Sequence, residues 1–210
     1  MLRVSTALSR TCLRLNKYPN TAQLSTMASK LSLESTLPLP KTDLTIPRLG
    51  FGVYQSPAKQ CEASCTEAIK NGYRHIDTAQ FYANEAEVGA AVRNSGLKRS
   101  EIYLTTKILG AGGSVEKSYQ KCIESVKKLD GQDGYVDLFL IHSPNAGAAA
   151  REEMWQALLR LHKEGKAKAI GVSNFGIGHI DRLKGLGDVW PPHVNQIEVS
   201  SPCPFQLQDL

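Results

Sequence analysis

Four short apolar runs in this chain each end on a group that can carry charge or hold a proton. The first is Arg74-His75-Ile76-Asp77, which leads into a loop with Tyr82 and a helix opening at Glu85. The second is Ile102-Tyr103-Leu104-Thr105-Thr106-Lys107, the third Val136-Asp137-Leu138-Phe139-Leu140-Ile141-His142, and the fourth runs from Ala167 to Ser173-Asn174. A fifth run, His193 to Glu198, carries Gln196. An aspartate at the end of a buried strand is costly unless something pairs with it. Lys107 is the candidate partner, since it ends the next strand. The steps from Asp77 to Lys107, Lys107 to His142 and His142 to Ser173 are 30, 35 and 31 residues. A repeat of that size is one strand plus one helix, and polar groups at successive parallel strand ends meet at the C-terminal mouth of a (β/α) barrel, where such enzymes keep their active sites.

The elements between these groups agree with that architecture. Lys59 to Asn71, stopped by Gly72, is expected to be an amphipathic helix with a glycine C-terminus. Further helices are expected from Glu85, Ser114, Arg151 and Gly178. Near-continuous apolar strands joined by helices argue a parallel sheet covered on its outer face. Leu44 to Gly50 is expected to end a small hairpin that plugs the barrel floor. Counting from Leu49 gives six strands, with a sixth helix beginning at Phe205. A closed barrel needs eight strands, so the chain is expected to be an incomplete, C-terminally truncated (β/α)8 TIM barrel of about six strand–helix units.

Composition narrows the class further. Residues 1–26 hold Arg3, Arg10, Arg14 and Lys17 with no acid, and the first acid is Glu34. That is the composition of a mitochondrial targeting presequence, although a disordered tail has the same appearance. Met27-Ala28-Ser29-Lys30 offers a second start and hence a cytoplasmic form. The barrel is assigned to 37–210. Of the formal charge of +5, four positives lie in the leader, so the remainder is near neutral and carries no nucleic-acid footprint. No apolar run approaches a membrane span, so no membrane partner is expected. The five cysteines form no disulfide framework and suggest a reducing compartment. Cys61 and Cys65 lie one helical turn apart but lack further ligands, and no metal site is expected. Gly110-Ala111-Gly112-Gly113-Ser114 sits where a dinucleotide fingerprint would, but Val115 replaces the last glycine the pattern needs.

The whole pattern resembles the aldo-keto reductase superfamily, and within it the soluble monomeric NADPH-dependent aldehyde and ketone reductases. The likeness rests on Leu49-Gly50-Phe51-Gly52-Val53-Tyr54, Gly72-Tyr73-Arg74-His75-Ile76-Asp77-Thr78-Ala79, Leu140-Ile141-His142-Ser143-Pro144, Ile170-Gly171-Val172-Ser173-Asn174-Phe175 and Val194-Asn195-Gln196-Ile197-Glu198. The resemblance implies Asp77, Tyr82, Lys107 and His142 as the catalytic four. It makes Tyr82 the general acid, with Lys107 lowering its pKa, Asp77 holding Lys107, and His142 bonding the substrate oxygen. It also implies NADPH as cofactor, Ser173, Asn174 and Gln196 as contacts to its carboxamide, and Tyr54 with His142 as walls of the carbonyl pocket. A small-molecule carbonyl is the implied partner, and the complete protein is expected to be a monomer. The 210-residue form is expected to be impaired by truncation. The alternative is a non-catalytic cofactor-binding or regulatory subunit that keeps the barrel; turnover of a general aldehyde with NADPH separates the two. Taken singly, each residue has an ordinary role: Asp77 and Lys107 as a structural ion pair, Ser173-Asn174 as a helix cap.

Overall fold

The computed structural model describes residues 31–199, so the expected presequence and the helix expected at Phe205 lie outside the described residues. From Leu33 onward the chain belongs to one compact unit, and the unit before it, Met1–Ser32, falls almost wholly outside that range.

A two-stranded antiparallel hairpin comes first, β1 (Thr36–Pro38) with β2 (Thr45–Pro47), in the register Leu37 opposite Ile46. Six parallel strands follow, β3 (Phe51–Gly52), β4 (His75–Asp77), β5 (Tyr103–Ile108), β6 (Val136–Ile141), β7 (Ala167–Ser173) and β8 (Asn195–Gln196), and each pairs with the next in chain order. The connecting helices are α1 (Ala58–Lys70), α2 (Glu85–Asn94), α3 (Val115–Asp130), α4 (Ala148–Lys163) and α5 (Ile177–Asp181). This is the incomplete barrel that the strand spacing predicts: six strands, sequential order, helices on one face.

The period-2 alternation of β5 shows how the sheet sorts its side chains. Leu104 and Ile108 join the core under the helices, where Trp155, Phe139 and Ile170 are fully buried. Burying each such side chain stabilises the fold by about 1.5–3 kcal/mol. Tyr103, Thr105 and Lys107 face the other way. Below them Leu138, Leu140 and Ala169 form a second apolar cluster with Leu39, Leu44 and Ile46, so the hairpin covers the inner face as expected. Two glycines permit close approach. A Cβ on Gly89 would lie 2.2 Å from the Lys128 carbonyl of α3, and one on Gly171 would lie 2.3 Å from the Val194 carbonyl beside β7.

Several boundaries differ from the sequence expectation. Helix α4 starts at Ala148 and not Arg151, because three alanines, the best helix formers, carry it back to Gly147 at φ 86°. Strand β8 covers only Asn195–Gln196, shorter than the expected run from His193 to Glu198. It has one paired neighbour among the described residues, β7, joined through Val172 N–H to Val194 O at 2.9 Å and Asn174 N–H to Gln196 O at 2.9 Å. Cys61 and Cys65 are buried in α1 with sulfurs 4.0 Å apart, as structural residues would be.

His75 occupies the inner face beneath the mouth, with Nε2 2.8 Å from Thr105 Oγ1 and its ring against Tyr103. Burial pushes its pKa below the ordinary histidine value, and the carboxylate of Asp77 only partly opposes this. Burial lowers His142 and His193 as well. A histidine kept neutral in the fold binds protons better when unfolded, so stability is lost as the pH falls below the unfolded value of about 6.5. Thermal melts should therefore show a lower Tm at pH 5.5 than at pH 7.5. The drop should be smaller in His75→Gln; an equal drop in that variant would remove His75 as the cause.

Candidate active site

The C-terminal ends of the strands gather the ionisable residues as the spacing predicts. Lys107 on β5 is 1% exposed and Asp77 ends β4. The Lys107 ammonium donates to Asp77 Oδ1 and, at 3.0 Å, to the Thr78 carbonyl. The second oxygen of Asp77 accepts from Gln196 Nε2 at 2.9 Å. Asp77 thus bridges β4, β5 and β8.

Tyr82 closes a 3-10 turn, Gln80–Tyr82, between β4 and α2. The next residue, Ala83, has φ 55°, a left-handed conformation that costs an alanine ~1–2 kcal/mol. That turn tips the phenol over the strand ends, with the Lys107 ammonium 5.2 Å from the ring centroid. Tyr82 Oη lies 3.5 Å from His142 Nε2. Tyr54, from the loop after β3, packs its ring 5.0 Å from that of Tyr82. These groups line a cleft of about 720 Å³ whose walls also include Phe81, Leu109, Ser173, Asn174, Gln196 and Glu198.

One electrostatic expectation is corrected. The net shift of Tyr82 is upward and not downward: burial pushes its pKa up to about 12, and the charge of Asp77 adds to the rise. The physical reason is that Lys107 and Asp77 form a nearly neutral unit, so the ammonium presents little net field to the phenol and desolvation decides the sign. Lys107 is itself held below the ordinary lysine value by burial, against the pull of Asp77. His142 is lowered by burial first and by the Lys107 charge second, so it is neutral at physiological pH.

Ser173 and Asn174 do not cap the helix that follows. The N-cap of α5 is Gly176. Asn174 adopts φ 58°, a conformation asparagine tolerates better than most residues. Its Nδ2 donates to Ser173 Oγ at 3.3 Å, and its Oδ1 accepts from Glu198 N–H at 2.9 Å. The glycine loop after β5 is also explained. Gly112 and Gly113 N–H both donate to Glu153 Oε1 at 3.0 Å, so a carboxylate of α4 already takes up these backbone donors.

Three residues escape sequence reasoning. Asn84 is 1% exposed and bonds three groups on other segments. Glu85 is 2% exposed, accepting from Thr106 Oγ1 at 2.6 Å and Ser125 Oγ at 3.2 Å. Asp137, at the opposite end of the sheet, pairs with Arg99 at 2.9 Å and Lys168 at 3.1 Å. An Asn or Glu at a helix start reads by default as a cap or a dipole partner, so nothing in the sequence signals burial. Phe81 is 61% exposed on the cleft wall, where its adjacency to Tyr82 was the available signal.

With this geometry in view, comparison with known proteins is decisive. The profile of the Aldo/keto reductase family matches residues 48–206. The chain belongs to the aldo-keto reductase family. It is 42% identical over 154 residues to a morphine 6-dehydrogenase of Pseudomonas putida, a match covering 73% of this chain and 51% of that protein. It is 44% identical over 160 residues to a methylglyoxal reductase of Salmonella typhi, covering 75% and 58%. Among solved structures, an aldo/keto reductase from Brucella melitensis superposes with a TM-score of 0.72 at 41% identity, over 79% of this chain and 63% of that one. A Bombyx mori aldo-keto reductase in complex with NADP gives 0.68 at 32% identity, covering 79% and 58%. The chain spans little more than half the length of these relatives.

Breaking a buried pair by removing one partner costs about 3–5 kcal/mol when the other charge is left stranded. Asp77→Asn strands the Lys107 ammonium, whose side chain is 2% exposed, and should cost towards that range. Lys107→Met leaves the Asp77 carboxylate, 15% exposed and still bonded to Gln196, and should cost less. Chemical denaturation of the two variants checks this order; a reversed order would show that the ammonium is not the group the pair exists to satisfy.

Proposed function

We propose that the family barrel to which these strands belong reduces a small aldehyde or ketone to its alcohol with NADPH, as a monomer, with Tyr82 as the proton donor. The observation carrying this reading is the convergence of Tyr82 Oη and His142 Nε2, 3.5 Å apart, above the Lys107–Asp77 pair. A carbonyl oxygen placed between them can accept a bond from both. Relatives named as a methylglyoxal reductase and as an NADP complex support the substrate class and the cofactor.

The residues facing the cleft suit a nicotinamide carboxamide, which needs one acceptor for its NH2 and one donor for its oxygen. Gln196 Oε1 offers the acceptor, while Ser173 Oγ and the second proton of Asn174 Nδ2 offer donors. When bound, the dinucleotide supplies a hydride to the carbonyl carbon. Tyr82 supplies the proton to the carbonyl oxygen. A phenol with a pKa of about 12 is fully protonated at neutral pH, and an alkoxide is a stronger base than a phenolate, so the transfer remains downhill. The Lys107 ammonium lies 5.2 Å from the ring of the phenolate left on Tyr82, with its charge largely offset by Asp77. Neutral His142, as the tautomer protonated at Nε2, donates to the same oxygen. Tyr54, Phe81 and Leu109 give the carbonyl an apolar wall.

The test is a chimera in which residues 33–199 are followed by the part of a relative that the match does not cover. It should oxidise NADPH in the presence of methylglyoxal. Tyr82→Phe deletes only the hydroxyl and should lower kcat about 10²–10⁴-fold with cofactor binding nearly intact. A variant retaining most of the wild-type rate would exclude Tyr82 as the acid. Import by residues 1–26 belongs to the same proposal, from their four basic and no acidic residues. Fused to a fluorescent reporter, Met1–Thr26 should direct it to mitochondria, and a diffuse cytosolic signal would refute this.

A further inference from the structure

Asn84 stands where a helix cap is expected, at the residue before α2, yet its side chain makes no capping bond. It reaches outward to two other segments. Its Oδ1 accepts from Thr78 Oγ1 at 2.7 Å, and its Nδ2 donates to the carbonyls of Val53 at 3.0 Å and Ser56 at 3.2 Å. Val53 and Ser56 bracket Tyr54 in the loop after β3. Thr78 precedes the turn that ends in Tyr82, and its carbonyl receives the Lys107 ammonium at 3.0 Å. One buried amide therefore joins the loop carrying Tyr54, the loop carrying Tyr82, and the residue that holds Lys107. Both amide atoms are used, and no other standard side chain of this size offers an acceptor and two donors in that arrangement.

We infer that Asn84 is a positioning residue that sets the distance between Tyr54 and Tyr82, and so fixes both the depth at which the Tyr82 hydroxyl is buried and the width of the carbonyl cleft. It touches neither substrate nor cofactor and acts through the two loops. The rest of the Tyr82 turn is bolted elsewhere. Gln80 Nε2 donates to Lys121 O at 3.0 Å and Ser125 Oγ at 2.9 Å, and Glu85 is held by Thr106 and Ser125. Those bonds tie the turn to α3 and β5, and none of them reaches Tyr54. Among the described side-chain hydrogen bonds, those of Asn84 alone link the β3 loop to the Tyr82 turn. The inference deepens the reading of Tyr82 as proton donor and rests on it.

The test reads geometry, so its outcome is separable from whether the protein turns over a carbonyl. The chain is labelled with 13C-tyrosine, and Tyr82 is assigned with Tyr82→Phe. In the unaltered protein Tyr54 and Tyr82 should show a ring-to-ring NOE, their centroids being 5.0 Å apart, and Tyr82 should titrate at about 12. In Asn84→Ala the NOE should vanish and the Tyr82 titration should move down towards that of an ordinary tyrosine as water enters. Thr78→Val, which removes one bond and keeps the volume, should show the same changes more weakly. Either variant that melts cooperatively yet keeps both signals unchanged overturns the inference. Loss of cooperative melting in both variants would make Asn84 a folding residue and overturn it too.

Discussion

The ammonium of Lys107 is the most demanding group in the fold. Its side chain is 2% exposed, and an ionised amine taken out of water carries a desolvation penalty of several kcal/mol. An opposite charge and a further acceptor make that tolerable, and the strand order supplies both. Asp77 lies on the neighbouring strand, the Thr78 carbonyl follows it, and Gln196 holds the other carboxylate oxygen from β8. A pair of this kind adds little net stability over a well-packed apolar equivalent. What it adds is register: β4, β5 and β8 cannot slide without stranding a charge. The mouth is fixed because the alternative arrangements are penalised.

The same pair dictates how Tyr82 behaves. An isolated ammonium 5.2 Å from the ring would favour the phenolate, and that is what the residue types suggest when read along the chain. Pairing Lys107 with Asp77 removes most of that field, and burial then raises the phenol to about 12. A donor with so high a pKa stays protonated across the physiological range. Its acidity is lower than that of an ordinary phenol but still far above that of an alcohol, so an alkoxide can take its proton.

Most of the frame is legible in the sequence, for a physical reason. The interval of about 30 residues between Asp77, Lys107, His142 and Ser173 is the length of one strand–helix unit, so the sequence itself carries the periodicity of the fold. The unreadable part consists of side chains whose partners come from other segments. Asn84 and Glu85 look like ordinary helix-start residues, and only the packing of α2 against β5 and α3 shows that they are buried. Helix α4 starts ahead of the charged residues at Arg151 because local alanine propensity outweighs them. Strand β8 was overestimated because an apolar run does not reveal how much of it finds a partner. The sign of the Tyr82 shift was missed because it depends on a balance between burial and a neutralised pair, and spacing contains neither.

The two walls of the cleft are held by different numbers of side-chain bonds. The Asp77, Lys107 and Tyr82 side rests on β5, with six residues and a ladder on both flanks, and is reinforced by Asn84, Gln80 and Glu85. The Ser173, Asn174 and Gln196 side depends on the end of β7 and on the two residues of β8. Local opening costs least where few backbone bonds and little buried area hold a segment. Among the described residues, the groups proposed to move a proton are therefore braced by more cross-segment side-chain bonds than those proposed to hold a cofactor. Proton transfer over a few tenths of an ångström needs that bracing more than carboxamide binding does, since a bound ligand can itself supply the bonds that order its own wall.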